Sequence, residues 1–106
     1  MRVLLDECVP VRLGKLLPGH AVSTVPRMGW AGIRNGRLLG LAAGSFDVLV
    51  TVDRRMPHEQ NPATLPVAVI VMHAPSNDIS DLIPLMPAVL NALQTLTPKA
   101  FTHVRT

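Results

Sequence analysis

The stretch DVLVTVD, residues 47–53, decides the fold class of this chain. Its uninterrupted apolar centre predicts a buried strand over residues 47–52, and Asp53 follows directly at the end of that strand. Further strands are predicted on both sides of it, at residues 3–5, 20–25, 67–72 and 101–104. Segments with helical spacing separate them, and this alternation predicts an α/β domain with a central, mostly parallel sheet.

Four helical segments are predicted to connect these strands. They are residues 10–17, residues 37–43, one turn within the polar loop 53–66, and a last helix with an apolar stripe over residues 82–93. The last helix is expected to end before Pro98, and its candidate caps are Asn77, Asp78 and Ser80. The run at 67–72 is so uniformly apolar that we expect a strand covered on both faces.

The composition indicates one small globular domain spanning residues 1–106. Apolar residues make up 48% of the chain and charged residues 16%, which argues against disorder. No apolar run is long enough to span a bilayer, and Asp6 and Glu7 interrupt any signal peptide, so we expect a soluble, cytoplasmic protein. A lone cysteine, Cys8, suits that compartment. The net charge of +3 leaves two explanations open, which are a nucleic-acid partner and ordinary solubility.

Two acidic residues stand at the ends of predicted strands. Asp6 follows the first strand and Asp53 the third, and the carboxyl ends of parallel strands meet at one edge of the sheet, where open α/β folds bind ligands. We expect these strands to be neighbours and the two carboxylates to converge there, where Mg²⁺ or Mn²⁺ would offset their repulsion. Structural explanations remain open. Asp6 and Glu7 suit the start of a helix, and Asp53 suits a cap or an ion pair with Arg54 or Arg55.

Other common sites are not supported by the spacing. Gly29, Gly32 and Gly36 do not stand in the strand-to-helix context of a phosphate loop. Cys8 lies beside two acids, so we expect a poorly ionised, unreactive thiol. The histidines lack the close pairing of a zinc site; they are His20, His58, His73 and His103.

Three motifs resemble the small bacterial PIN-like proteins, an offshoot of the PIN nuclease superfamily. They are LLDECVP at 4–10, GWAGIRNGRLLGLAAGSFDVLVTVD at 29–53 and EQN at 59–61. The resemblance implies a three-layer α/β/α sandwich and a metal-dependent endoribonuclease, the toxin-like member of a toxin–antitoxin pair. It also implies that Asp6 and Asp53 are catalytic metal ligands and that Glu7 is an auxiliary one. Such nucleases carry a further acid where this chain has Asn35, an uncharged ligand that weakens metal binding.

The expected RNA-binding residues flank this predicted site. The arginines that would hold the RNA backbone are Arg34, Arg37, Arg54 and Arg55. Gln60 and Asn61 would complete the site or hold a phosphate, although both also suit a turn before Pro62.

Three further expectations stay open at this stage. A non-catalytic PIN-like module that binds RNA or a protein partner is the alternative to a nuclease. A phosphatase or receiver-like domain would share the fold class, but no lysine stands at the end of the fourth strand to complete its site. Because the chain is small and markedly apolar, we also expect a homodimer that meets through the Trp30 loop or the last helix.

Overall fold

The core of the fold is a five-stranded, all-parallel sheet in the computed structural model, which describes residues 1–105. The strands are β1 (Arg2–Leu5), β2 (Ala21–Thr24), β3 (Val48–Thr51), β4 (Ala68–Met72) and β5 (Phe101–Val104). Their order in the sheet is β2-β1-β3-β4-β5, and each neighbouring pair is parallel. The predicted strands, the α/β class and the parallel sheet are therefore confirmed.

Helices and short 3-10 segments connect these strands within the described chain. The α-helices are α1 (Asn35–Ala43), α2 (Met56–Glu59), α3 (Ile79–Leu82) and α4 (Met86–Gln94). The 3-10 segments are Val11–Leu16, Pro62–Thr64 and Ile83–Leu85. None of the helices formed by residues 1–105 has the length and apolar character needed to cross a membrane.

The predicted last helix is present but interrupted, and its helical residues begin after Asp78, one of the three candidate cap residues. The chain forms α3, then a 3-10 turn, and then α4, which ends at Gln94, four residues before Pro98. Pro84 and Pro87 mark the two breaks in the helix, and each stands in the first turn of the segment that follows the break. Because proline lacks an N–H group and its ring clashes with the preceding turn, it starts a helix more readily than it continues one.

Two other predicted helices differ in detail. The segment predicted at 10–17 is a 3-10 helix, in which Leu13 donates its N–H to the carbonyl of Pro10 and Leu17 donates to that of Gly14. The segment lies between two prolines and is short, which suits the tighter 3-10 turn. Helix α1 begins at Asn35, two residues earlier than the spacing of the leucines indicated.

Both faces of the sheet are buried. Alternate residues of the strands enter two separate hydrophobic clusters, so that Leu5 and Val50 belong to one cluster and Leu4 and Leu49 to the other. Helix α4 packs with the first cluster, whereas α1 and α2 pack with the second. All five residues of β4 are buried, as expected for a strand covered on both faces.

The loop between β2 and α1 is anchored by an aromatic contact. Trp30 meets the edge of Phe46, with ring centroids 6.1 Å apart and an interplanar angle of 82°. The turns on either side of the tryptophan use Gly29 and Gly32 at φ +78° and +81°, a conformation that favours glycine. This anchored loop brings the chain to the start of α1 beside the carboxyl edge of the sheet.

Candidate functional site

The candidate site lies where the strand order changes direction. From β1 the chain continues outward to β2, whereas from β3 it continues outward in the opposite direction to β4 and β5. The predicted adjacency of β1 and β3 is confirmed, since Leu4 pairs with Leu49 and Leu5 with Val50. Open parallel sheets bind their ligands at such a switch point, at the carboxyl ends of the strands.

A cleft of about 420 Å³ opens at this point. The structure brings five of the predicted site residues together in it, along with Cys8 and Val52; the five are Asp6, Glu7, Asn35, Asp53 and Arg55. The two strand-end carboxylates therefore share one cleft, as their positions in the sequence predicted, and Asn35 lies in the same cleft, as the resemblance implied.

Asp6 is a buried residue whose carboxylate accepts hydrogen bonds from several donors. The residue is only 6% exposed. Oδ1 accepts the backbone N–H of Glu7 at 2.9 Å, and Oδ2 accepts the Thr51 hydroxyl at 2.7 Å and the Cys8 thiol at 3.7 Å. Burial of a charge is costly unless such donors replace water. These bonds fix the orientation of the carboxylate in the cleft.

Asp6 does not cap a helix. The segment after β1 begins at Val11, its cap position is Pro10, and no side chain caps it. Asp6 instead continues the sheet, because its backbone N–H donates to the carbonyl of Val50 at 3.0 Å. The capping explanation that the sequence left open for Asp6 is therefore wrong, and its carboxylate lies at the end of β1 in the cleft.

Thr51 connects the two acidic residues, and sequence reasoning missed it. Its hydroxyl donates to Asp6 and accepts the backbone N–H of Asp53 at 3.0 Å, and the residue is fully buried. A hydroxyl on a buried strand, two residues before a strand-end acid, was the available signal in the sequence. The threonine sets the position of Asp53 relative to Asp6.

Asp53 has one engaged oxygen and one open oxygen. Oδ1 accepts the backbone N–H of Arg55 at 3.0 Å and its Nε–H at 3.3 Å. The pairing with Arg55 that the sequence left open is thus present, and Arg55 also lies 3.9 Å from Glu59. This arginine side chain is 81% exposed, so the pair is screened by water. Among residues 1–105, Oδ2 of Asp53 accepts no hydrogen bond and remains available for a ligand.

Glu7 and Cys8 complete the β1 side of the cleft. Glu7 is exposed, and its Oε1 accepts the N–H of Gly32 at 3.3 Å, which joins the loop before α1 to the end of β1. Burial raises the pKa of the Cys8 thiol, and the negative charge of Asp6 acts in the same direction. Cys8 therefore stays protonated and serves as a hydrogen-bond donor to Asp6.

A second cleft of about 720 Å³ adjoins the first one. Asn35, the first residue of α1, lines both clefts. The second cleft is also lined by three of the predicted RNA-binding residues, Arg34, Arg37 and Gln60. The start of α1 is thus the wall shared by the acidic cleft and a cleft that carries two arginines.

Arg54 and Asn61 lie outside the lining of both clefts. Arg54 is exposed directly after Asp53. Asn61 caps the 3-10 segment Pro62–Thr64, because its Oδ1 accepts the backbone N–H of Ala63 at 2.9 Å. The structure therefore places Asn61 as a turn former, which was one of the two roles left open by the sequence.

The donor set suits a hard divalent cation that keeps part of its water shell. No group of three or more His, Cys, Asp or Glu side chains suited to a metal occurs within residues 1–105, so a cage made of such residues alone is absent there. Three carboxylates, those of Asp6, Glu7 and Asp53, and the amide of Asn35 do line a single cleft. Mg²⁺ and Mn²⁺ bind through one or two carboxylates with waters in the remaining positions, so these residues fit such an ion.

Comparisons with protein-family models, with curated proteins and with solved structures find no match to this chain.

Proposed function

We propose that this protein is a Mg²⁺- or Mn²⁺-dependent endoribonuclease of the PIN-like type, with the three-layer α/β/α arrangement of that family. The observation that carries the proposal is the shared cleft of Asp6 and Asp53 at the switch point of a parallel sheet. Asp6 is held rigidly by buried donors, and Asp53 keeps one oxygen open. An oriented pair of acids of this kind is what a hard cation requires.

The chain's own residues divide the work between the two clefts. Asp6 and Asp53 hold the ion, with the amide oxygen of Asn35 and the carboxylate of Glu7 as further oxygen ligands. When bound, such an ion supplies activation of a water molecule and neutralisation of charge at a phosphodiester. Arg34 and Arg37 bind the RNA backbone in the adjoining cleft, where Gln60 offers a hydrogen-bonding amide. Arg55 stands at the rim beside Asp53.

Two features favour a second candidate, a non-catalytic module that binds RNA or a protein through the same clefts. Asn35 is uncharged, and Arg55 already occupies one oxygen of Asp53. Both reduce the negative charge that attracts a cation. The two candidates make opposite predictions for cleavage, whereas RNA binding is expected of the nuclease and of a module that binds RNA.

A cleavage assay on end-labelled single-stranded RNA decides between them. We expect the wild-type protein to cleave the RNA in Mn²⁺ and not in EDTA, and Asp53→Asn to remove cleavage. Asp78→Asn makes the same chemical change at an exposed residue that precedes α3, so it should cleave like the wild type. RNA binding without cleavage in the wild type would favour the binding module.

The remaining expectations concern partners. As a toxin-like protein in the cytoplasm, this chain would be neutralised by an antitoxin protein, and it would form a homodimer. Trp30 is half-buried against Phe46, so the more exposed large apolar side chains Val11 (68%) and Ile83 (49%) are better contacts for a second copy. Light scattering at tens of micromolar distinguishes a dimer from a monomer.

A further inference from the structure

Four nitrogen-bearing side chains gather at the carboxyl ends of three neighbouring strands. We call them the histidine–arginine cluster: Arg54 after β3, His73 after β4, and His103 and Arg105 at the end of β5. The backbone N–H of His73 donates to the carbonyl of Val104 at 2.9 Å, which fixes it beside the end of β5. This cluster lies outside the two clefts described above, on the β4–β5 side of Asp53.

The two histidines form a hydrogen-bonded pair. Nε2 of His73 and Nδ1 of His103 are 2.7 Å apart, and the ring centroids are 5.0 Å apart with a tilt of 49°. One of the two facing nitrogens carries the shared proton and the other accepts it. Addition of one further proton to the pair makes both outer nitrogens, Nδ1 of His73 and Nε2 of His103, into N–H donors. The pair then carries a single positive charge and presents two donors.

The surrounding charge favours an anion over a metal ion at this pair. Burial, and then repulsion from Arg105, His103 and Arg54, lowers the pKa of His73. Within residues 1–105, the cluster forms no ion pair with a carboxylate at 4.0 Å or less. A divalent cation would meet two arginines and no acid there, whereas an anion would relieve the repulsion among the cationic groups.

We infer that the histidine–arginine cluster binds a phosphate group of an RNA strand whose scissile region lies at Asp6 and Asp53. The inference rests on the proposed function for its substrate class. Arg54 directly follows Asp53, so the cluster and the acidic cleft are consecutive along the carboxyl edge of the sheet. The second cleft, which carries Arg34 and Arg37, adjoins the acidic cleft at Asn35. An RNA strand that crosses the acids therefore has cationic groups within reach in the second cleft and in the cluster.

Binding of a labelled single-stranded RNA dodecamer in EDTA tests the cluster without cleavage. Arg105→Gln removes one cation directly after the end of β5. Lys99→Gln removes one just before the start of β5, where the amino ends of the strands lie. We expect Arg105→Gln to weaken binding about fivefold and to lower the slope of log affinity against log salt by about 0.7, the value for one lost phosphate contact on a single strand. Lys99→Gln should leave both unchanged. The double variant His73→Gln/His103→Gln should resemble Arg105→Gln.

Three results would overturn the inference. They are equal losses in Arg105→Gln and Lys99→Gln, no RNA binding by the wild-type protein, and a rise in melting temperature with Zn²⁺ that needs both histidines. Melting temperatures in EDTA identify any variant that is not folded. A failure of the proposed nuclease function gives a different result. In that case Asp53→Asn and the wild-type protein would not differ in cleavage, whereas RNA binding would still depend on Arg105.

Discussion

At the scale of single residues, the site depends on a threonine as much as on its acids. Thr51 donates to the buried Asp6 carboxylate and accepts the backbone N–H of Asp53, so one hydroxyl holds both strand-end acids in position. Loss of the hydroxyl removes the shortest donor to a buried carboxylate and leaves the backbone N–H of Asp53 without a partner, which costs more than a hydrogen bond contributes when it forms.

The variant Thr51→Val tests this role because valine has the same shape and no hydroxyl. We expect the free energy of unfolding to fall by about 1–3 kcal/mol, from the loss of the donor to a buried carboxylate. Thr64→Val makes the same change at an exposed position and should shift stability by less than about 0.5 kcal/mol. Urea unfolding measures both. Equal stability of the two variants would show that Thr51 does not support Asp6.

Asn35 is the residue at which a gain of function is expected. The substitution Asn35→Asp adds a further carboxylate to the cleft that Asp6, Glu7 and Asp53 line. We expect a lower melting temperature in EDTA, from repulsion between like charges, and Mn²⁺ binding about tenfold tighter.

Asn91→Asp is the matched control because it adds the same charge on an exposed part of α4. Calorimetric titration with Mn²⁺ measures the affinities. If both variants bind Mn²⁺ as the wild type does, Asn35 does not contribute to a metal site.

At the scale of elements, the strands were predictable and the helices less so. Continuous apolar runs identify buried strands such as β3 and β4 directly, and the two acids identified the adjacency of β1 and β3. The apolar spacing over 82–93 concealed the breaks at Pro84 and Pro87, since periodicity records which face is buried and not whether the backbone bonds continue. Thr51 was missed because its role depends on a neighbouring strand.

Two glycines test the packing of connecting elements. A Cβ on Gly14 would lie 3.1 Å from Cγ1 of Val22, so the first 3-10 segment sits tightly on β2. A Cβ on Gly40 in α1 meets no atom within 4 Å. We expect Gly40→Ala to raise the free energy of unfolding by about 0.5–1 kcal/mol and Gly14→Ala to lower it by about 1 kcal/mol. Thermal unfolding measures the pair, and a Gly14→Ala protein as stable as Gly40→Ala would contradict the tight contact.

The starts of β1 and β3 are joined by an acid whose pKa is lowered. The backbone N–H of Arg2 donates to Oδ2 of Asp47 at 2.7 Å, and this bond, more than the arginine side chain, holds the pKa of Asp47 below its ordinary value of 3.8. The stabilisation is complete above pH 3.8 and is lost as the pH falls through the lowered pKa.

Asp47→Asn should therefore flatten the acid side of the stability profile, because its amide oxygen keeps the backbone bond but does not titrate. Arg2→Gln leaves the backbone donor in place and should keep most of the acid dependence. Urea unfolding between pH 2 and pH 6 measures both profiles. An unchanged slope in Asp47→Asn would contradict the assignment of this bond.

At the scale of the whole molecule, the order of the strands and the distribution of charge act together. The switch between β1 and β3 opens a cleft that contains the strand-end acids Asp6 and Asp53 together with Glu7, and cationic side chains stand in the adjoining cleft and at the ends of the neighbouring strands. A net charge of +3 is modest, so its arrangement around the acids matters more than its size. The sequence predicted the position of the acids because strand ends are readable from apolar runs.

The measurement that tests the central claim most directly is the melting temperature in Mn²⁺ and in EDTA, for the wild type, Asp53→Asn and Asp78→Asn. A ligand that binds only the folded state raises its stability with concentration. We predict a saturable rise in melting temperature with Mn²⁺ in the wild type and in Asp78→Asn, and no rise in Asp53→Asn, whose melting temperature in EDTA stays close to that of the wild type. If all three proteins respond identically to Mn²⁺, Asp6 and Asp53 are structural acids and do not form a metal site.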